Sequence, residues 1–219
     1  YEIGVRLVGS EMCIRDSELI EKFSLKRVQK SGARFDEKRL LWLNGAHIRN
    51  IPVDKLYEYV SPWDNNPQKD GGQTGFWPES AYAPNITKEY RMKVLALAQD
   101  RLKMFEDLRG FGYFFAEPEI NLELIDGNKQ LKKLSDSERR ELLETARHEL
   151  AKITDWTPES IQNCLNKLLE TTGQKPGILF SLIRIAVTWA PFSPQLNDTL
   201  ALIGCERTLA RLQSYLDMK

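Results

Sequence analysis

Two arginines stand where their chemistry calls for an explanation. Arg184 is the single charge in the run Ile178-Leu-Phe-Ser-Leu-Ile-Arg-Ile-Ala-Val187. Arg101 lies midway between Leu97 and Phe105, on a helical stripe that also takes in Val94, Ala98 and Leu108. A guanidinium must be satisfied wherever it goes. It stays charged, and its planar fork suits bidentate hydrogen bonds to base edges or phosphates. The same pattern is met when an arginine pairs with a carboxylate inside a bundle or snorkels to its rim. The turn Trp189-Ala-Pro-Phe-Ser-Pro194 is a third candidate. Single-stranded RNA loops are read by stacking and by hydrogen bonds to splayed bases, and a proline-stiffened turn with a serine hydroxyl can read such a base. The same composition also makes an ordinary helix–helix turn.

These residues need helices to hold them, and the chain has the patterns. Residues 35–45 read as a helix with Asp36 as N-cap and Leu40, Leu41, Trp42 and Leu43 as its apolar face; Asn44-Gly45 ends or kinks it. Pro52 then opens a helix with Val53, Leu56, Tyr57 and Val60 at helical spacing. Residues 61–85 hold Pro62, Pro67, Gly71, Gly72, Gly75, Pro78 and Pro84, too many breakers for a long helix. Trp63, Phe76, Trp77 and Tyr82 within it predict a loop that packs down. Thr87 caps a helix expected to run to Arg109, and residues 111–118 read as a turn between two bodies. Ser135 with Glu138 forms a capping box. Thr157-Pro158 starts a further helix, which Gly173 stops. Residues 174–190 make another helix. Residues 195–217 make the last helical region, broken at Gly204. Helix after helix with short connections argues a bundle.

Composition removes other chemistries. Lys plus Arg and Asp plus Glu number 31 each, so no global field draws in nucleic acid and any RNA contact is local. Cys13, Cys164 and Cys205 are scattered, and His47 and His148 are the histidines. That supply argues against a zinc cluster or a disulfide framework and fits a reducing, cytoplasmic compartment. No apolar run reaches the roughly 20 residues a membrane span needs. No glycine-rich phosphate loop and no Ser/His/acid set is present. Residues 1–17 have no helical or strand period that carries on beyond Ser17. Val8-Gly-Ser-Glu-Met-Cys-Ile-Arg-Asp-Ser17 resembles translated sequencing-adapter sequence, so residues 1–17 read as a non-native or disordered tail.

Phe23-Ser-Leu-Lys-Arg-Val-Gln-Lys-Ser-Gly-Ala-Arg-Phe-Asp36, continuing to Leu41-Trp-Leu-Asn-Gly45 and Ile48-Arg49, closely resembles glutamyl-tRNA synthetases just after their second catalytic signature. Weaker likeness covers residues 95–108 and 175–212, including Ala201-Leu-Ile-Gly-Cys-Glu-Arg207. The resemblance implies a mainly α chain. A small stem-contact domain at 18–113, with a loop insertion at 61–85, precedes an all-α helical-bundle anticodon-binding domain at 114–219. It implies tRNA(Glu) as partner, with tRNA(Gln) a second candidate, and no membrane, no DNA and a monomeric state. The family's ATP-binding motifs are not in this stretch, so the resemblance implies no catalytic residue, no metal and no cofactor here, with ATP and Mg belonging to a catalytic domain outside it and the stretch inactive alone. By position, Arg101 and Arg184 fall on anticodon-reading arginines, and Ser193, Pro194 and Leu196 on the turn that packs against anticodon bases. Residues 189–192 depart from the small residues usual there. Lys26, Arg27, Lys30 and Arg49 fall where the tRNA stem would be held by phosphate contacts. A helical protein-interaction module without RNA affinity is the alternative.

Overall fold

The computed structural model describes residue 21, residues 35–61 and residues 75–218. Two compact units divide the chain, Tyr1–Glu37 and Lys38–Lys219. The predicted tail at 1–17, most of the segment 18–34, and Trp63 lie outside the described residues. Every regular element among the described residues is helical, as the spacing and capping signals require.

The helix α1 (Glu37–Asn50) runs five residues past the expected stop at Gly45. Gly45 is interior and buried, because a Cβ there would meet the Leu102 carbonyl oxygen at 3.1 Å. The glycine thus permits close crossing of two backbones rather than ending a helix, and Asn44 beside it donates to the Lys103 carbonyl at 2.5 Å. The expected apolar face is also different. Leu40, Trp42 and Leu43 are exposed, while Ile48 is buried, so the core-facing stripe is carried by the C-terminal half.

Helix α2 (Val53–Val60) buries Leu56, Tyr57 and Val60. The described part of the following loop packs down as its aromatics predict. Trp77 is 1% exposed and its indole N–H donates to the Ser61 hydroxyl at 2.7 Å. Helix α3 (Lys88–Ala98) is capped by Thr87, which accepts from the Tyr90 amide at 3.2 Å.

The helix expected to reach Arg109 stops at Ala98. A short 3-10 turn covers Gln99–Arg101, and a second 3-10 run covers Phe105–Phe114. Two side chains cause the break. Gln99 is buried and its amide donates to the Ile48 and Ile51 carbonyls at 2.8 and 2.7 Å, tying the chain to the end of α1. Asp107 accepts from the Lys103 and Met104 amides at 2.7 and 2.9 Å, starting the next run of turns. Propensity could not show the Gln99 bonds, which join segments about 50 residues apart, whereas Asp107 caps its own run from three and four residues away. The stretch expected to be a turn between bodies supplies core instead, with Leu108, Phe111 and Phe114 fully buried.

The remainder is a bundle. After the one-turn α4 (Glu123–Asp126) come α5 (Asp136–Leu150), α6 (Pro158–Thr172), α7 (Pro176–Thr188), α8 (Leu196–Ile203) and α9 (Cys205–Leu216). Helix α9 packs on α5, α7 and α8, α6 packs on α5 and α8, and α3 reaches α8. The caps are those the residues predict. Ser135 and Glu138 exchange the bonds of a capping box, and Thr157 accepts from the Ser160 amide. Gly173 ends α6 at φ 64°, and Gly204 separates α8 from α9 at φ 92°, both in the region a side chain disfavours. Among the described residues no helix is long and apolar enough to cross a membrane.

Candidate nucleic-acid interface

The end of α7 sets the geometry of the candidate site. Trp189 closes the helix at φ 45°, a left-handed conformation that a residue with a Cβ adopts rarely. Its ring stacks on Tyr215 of α9, with centroids 5.9 Å apart and planes 18° from parallel. That stack anchors an otherwise unfavourable turn, and so fixes where residues 190–195 leave the helix.

Arg184 lies one turn before this end and is half-buried. Its Nε donates to the Ser193 hydroxyl at 2.8 Å, and Ser193 donates onward to the Pro194 carbonyl at 3.0 Å. No carboxylate among the described residues pairs with Arg184. A guanidinium carries five N–H donors, so most of its hydrogen-bonding capacity is uncommitted. Burial lowers its pKa, and the positive charge of Arg101 lowers it further. The fold thus brings Arg101, 83 positions earlier in the chain, near enough for its charge to act on Arg184. Arg101 itself is exposed at the end of the first 3-10 turn, off the long helix expected to carry it.

Next to Arg184 the Tyr113 hydroxyl is buried without a hydrogen-bond partner among the described residues. Burial pushes its pKa well above the usual phenol range, against the pull of the Arg184 and Arg211 charges. Tyr113 lines a shallow cleft with Arg109, Gly110, Trp189 and Ala190.

The turn differs in detail from its expected role. The Ser193 hydroxyl is not free, because it is 5% exposed and already holds Arg184. Leu196 is also 5% exposed and packs into the core, and Pro194 is buried. The open part of the turn is Pro191 and Phe192. Of the residues expected at the tRNA stem, Arg49 is exposed in the last turn of α1, and Lys26, Arg27 and Lys30 lie outside the described residues.

Sequence reasoning passed over the most buried cation among the described residues. Arg211 is 3% exposed on α9. It donates to the Val187, Tyr113 and Ala116 carbonyls at 3.0, 2.9 and 3.0 Å and to Glu117 at 2.8 Å. Arg207 joins it on Glu117 at 3.2 Å and reaches the Phe114 carbonyl at 3.0 Å. These arginines cap the C-terminal carbonyls of α7 and of the Phe105–Phe114 run, where a cation is favoured. The sequence signal was available: Arg211 sits beside Leu212 and one turn from Thr208 and Tyr215, all buried.

Comparison with known proteins gives a consistent picture. A family model described as "Anticodon binding domain" matches residues 55–216. The chain is similar to proteins named glutamate–tRNA ligase from Chloroflexus aurantiacus, at 33% identity over 93% of this chain and 39% of the relative, and from Roseiflexus sp., at 35% identity over 90% of this chain and 37% of the relative. It thus spans about two fifths of the length of the curated relatives it matches. A crystal structure of a glutamate tRNA ligase from Elizabethkingia meningosepticum superimposes with a TM-score of 0.63 over 92% of this chain and 36% of that one, at 21% identity, which is a likeness of fold.

Proposed function

The chain belongs to the anticodon binding domain family, and from that premise we propose that it is the tRNA-reading portion of a glutamate–tRNA ligase. The observation that carries the proposal is Arg184, a half-buried cation held by Ser193 with no carboxylate among the described residues paired to it, and with the charge of Arg101 acting on it. An all-protein purpose would supply a counter-charge, as Glu117 does for Arg211. An RNA loop supplies acceptors on splayed bases and negative phosphates at once.

In this reading Arg184 and Arg101 donate to anticodon bases. Ser193 acts through Arg184, fixing its Nε so that the terminal nitrogens point one way. Pro194 and Leu196 anchor the turn from within rather than touching RNA. Arg49, with Lys26, Arg27 and Lys30, grips the stem through phosphates. The stem is then gripped from the segment before residue 113, and the anticodon is read from both sides of that point, by Arg101 before it and Arg184 after it. The partner is tRNA(Glu), with tRNA(Gln) the competitor to test. The chain acts as a monomer in the cytoplasm, and ATP-dependent charging is the work of other parts of such a ligase.

The test is a salt titration of binding between the 219-residue chain and an RNA hairpin carrying the glutamate anticodon. Affinity should fall steeply as salt rises, roughly as the 0.7 power of salt per single-strand phosphate neutralised. No measurable affinity at low salt would overturn the proposal and leave a helical protein-interaction module as the reading.

A further inference from the structure

Resting on that reading and deepening it, we propose that the ring of Phe192 is the stacking platform for the nucleobase gripped by Arg184.

The turn places the two groups together. Phe192 directly precedes Ser193, and the Ser193 hydroxyl receives the Arg184 Nε at 2.8 Å. The guanidinium, projecting from α7, is thus tied to the residue that follows the aromatic ring in the turn. Burial along the turn is uneven. Ser193 is 5% exposed and Pro194 is buried, whereas Phe192 is 47% exposed. Phe192, next to the exposed Pro191, is thus the open aromatic surface of the turn.

The ring is held, not loose. Phe111, fully buried, meets it at 6.1 Å between centroids with planes 72° apart. Gly110 also backs it, since a Cβ at that position would come within 3.8 Å of Phe192 Cζ. Glycine there keeps any side chain from covering the ring. An edge contact on one side and an open face on the other orient the ring and lower the ordering cost of stacking a ligand on it.

The chemistry of the neighbours selects the occupant. A purely apolar partner would cover Phe192 and bury the Arg184 charge without compensation. An isolated phosphate would satisfy Arg184 and leave the ring idle. A nucleobase meets both demands, offering a π face to the ring and acceptor atoms at its edge to the guanidinium, and the repulsion between Arg101 and Arg184 favours the negative backbone that accompanies it.

The experiment uses the 219-residue chain and two RNA hairpins, one bearing the glutamate anticodon and one abasic at the anticodon positions, with binding followed by fluorescence anisotropy. Phe192→Ala should weaken binding of the base-bearing hairpin roughly 5- to 150-fold. It should leave the abasic hairpin unaffected and the salt dependence unchanged. Phe192→Trp should bind as well as the parent chain, and Phe192→Leu, apolar but without a ring, should resemble the alanine variant. An alanine variant that binds the base-bearing hairpin as the parent does, equal losses on both hairpins, or a leucine variant that binds like the parent would each overturn the stacking role while the RNA reading stands. Failure of the parent chain to bind either hairpin at low salt would instead overturn the RNA reading, and the stacking role with it.

Discussion

Arg211 and Arg184 begin from the same position in sequence terms: each is a cation on the apolar stripe of a helix in one bundle. They end in opposite states. Arg211 makes five hydrogen bonds to three carbonyls and a carboxylate, drawn from elements 24 to 98 residues away in sequence. Arg184 makes one, to a serine nine residues away, and feels the charge of another arginine. The first is closed chemistry, in which every demand of a buried guanidinium is met by protein. The second is open chemistry. Its charge is partly desolvated and positioned, and its donors await a partner. A misplaced arginine in a sequence therefore signals that something must satisfy it, and the arrangement of acceptors around it decides whether that something is the fold or a ligand.

The largest effect should come from breaking the closed site. Arg211→Met keeps an apolar stem but strands the Val187, Tyr113 and Ala116 carbonyls and the Glu117 carboxylate. The cost comes from the carbonyls left without their donor, about 1–3 kcal/mol for each one left unsatisfied, and not from Glu117, whose side chain is 67% exposed. Urea or thermal unfolding should show a loss of that order, with RNA affinity per folded molecule unchanged. A variant that stays stable but no longer binds RNA would reverse the assignment of the two arginines.

Arg184→Met is the matched change at the open site, and the comparison predicts the opposite split. It removes a half-buried charge that Arg101 repels and that no carboxylate among the described residues stabilises, so the fold should keep or slightly raise its melting temperature. Hydrogen bonds from a charged donor are worth about 1.5–3 kcal/mol, so RNA binding should weaken roughly 10- to 150-fold. Loss of helicity without a change in affinity would make Arg184 a structural residue like Arg211.

The comparison also explains what could be read in the residues and what could not. The caps at Thr87, Ser135 and Thr157 and the stops at Gly173 and Gly204 are local, made with residues a few positions away, and the structure has them where spacing predicts. The all-α class follows from the same local signals. The long helix to Arg109 failed because Gln99 bonds to α1, about 50 residues earlier, and no local pattern encodes that bond. Gly45 misled for a related reason, since its role is a close approach to Leu102 and only the fold brings the two together. In the candidate site the apolar run singled out Arg184 and the proline-stiffened turn singled out Ser193, and the structure brings the two into contact. It could not foresee that the Ser193 hydroxyl would be spent on Arg184, or that Phe192 rather than Leu196 would face outward. Arg211 met the same stripe criterion as Arg184 and drew no attention, because its partners are distant in the chain.

Acid should separate the two sites most finely, with the smallest effect of the set. The Arg211 hydrogen bonds, then its charge, hold the Glu117 carboxyl below the ordinary carboxylate pKa, with Arg207 adding to the shift. A carboxylate whose pKa is lower folded than unfolded stabilises the fold above its unfolded value, about 4.3, and loses that contribution as pH falls through its folded value. The Glu117 side chain is 67% exposed, so water screens the pair and the neutral-pH contribution is modest, about 0.2–1 kcal/mol. Glu117→Gln should therefore be slightly less stable than the parent at pH 7, and the two should converge in acid, read by thermal melts from pH 7 to pH 3. With no carboxylate among the described residues paired to Arg184, the difference between Arg184→Met and the parent should stay level across that same range. A stability gap for Arg184→Met that closed in acid would reveal a hidden counter-charge and make both arginines structural, whereas a level gap beside a closing one for Glu117→Gln leaves Arg184 as the cation whose partner lies outside the protein.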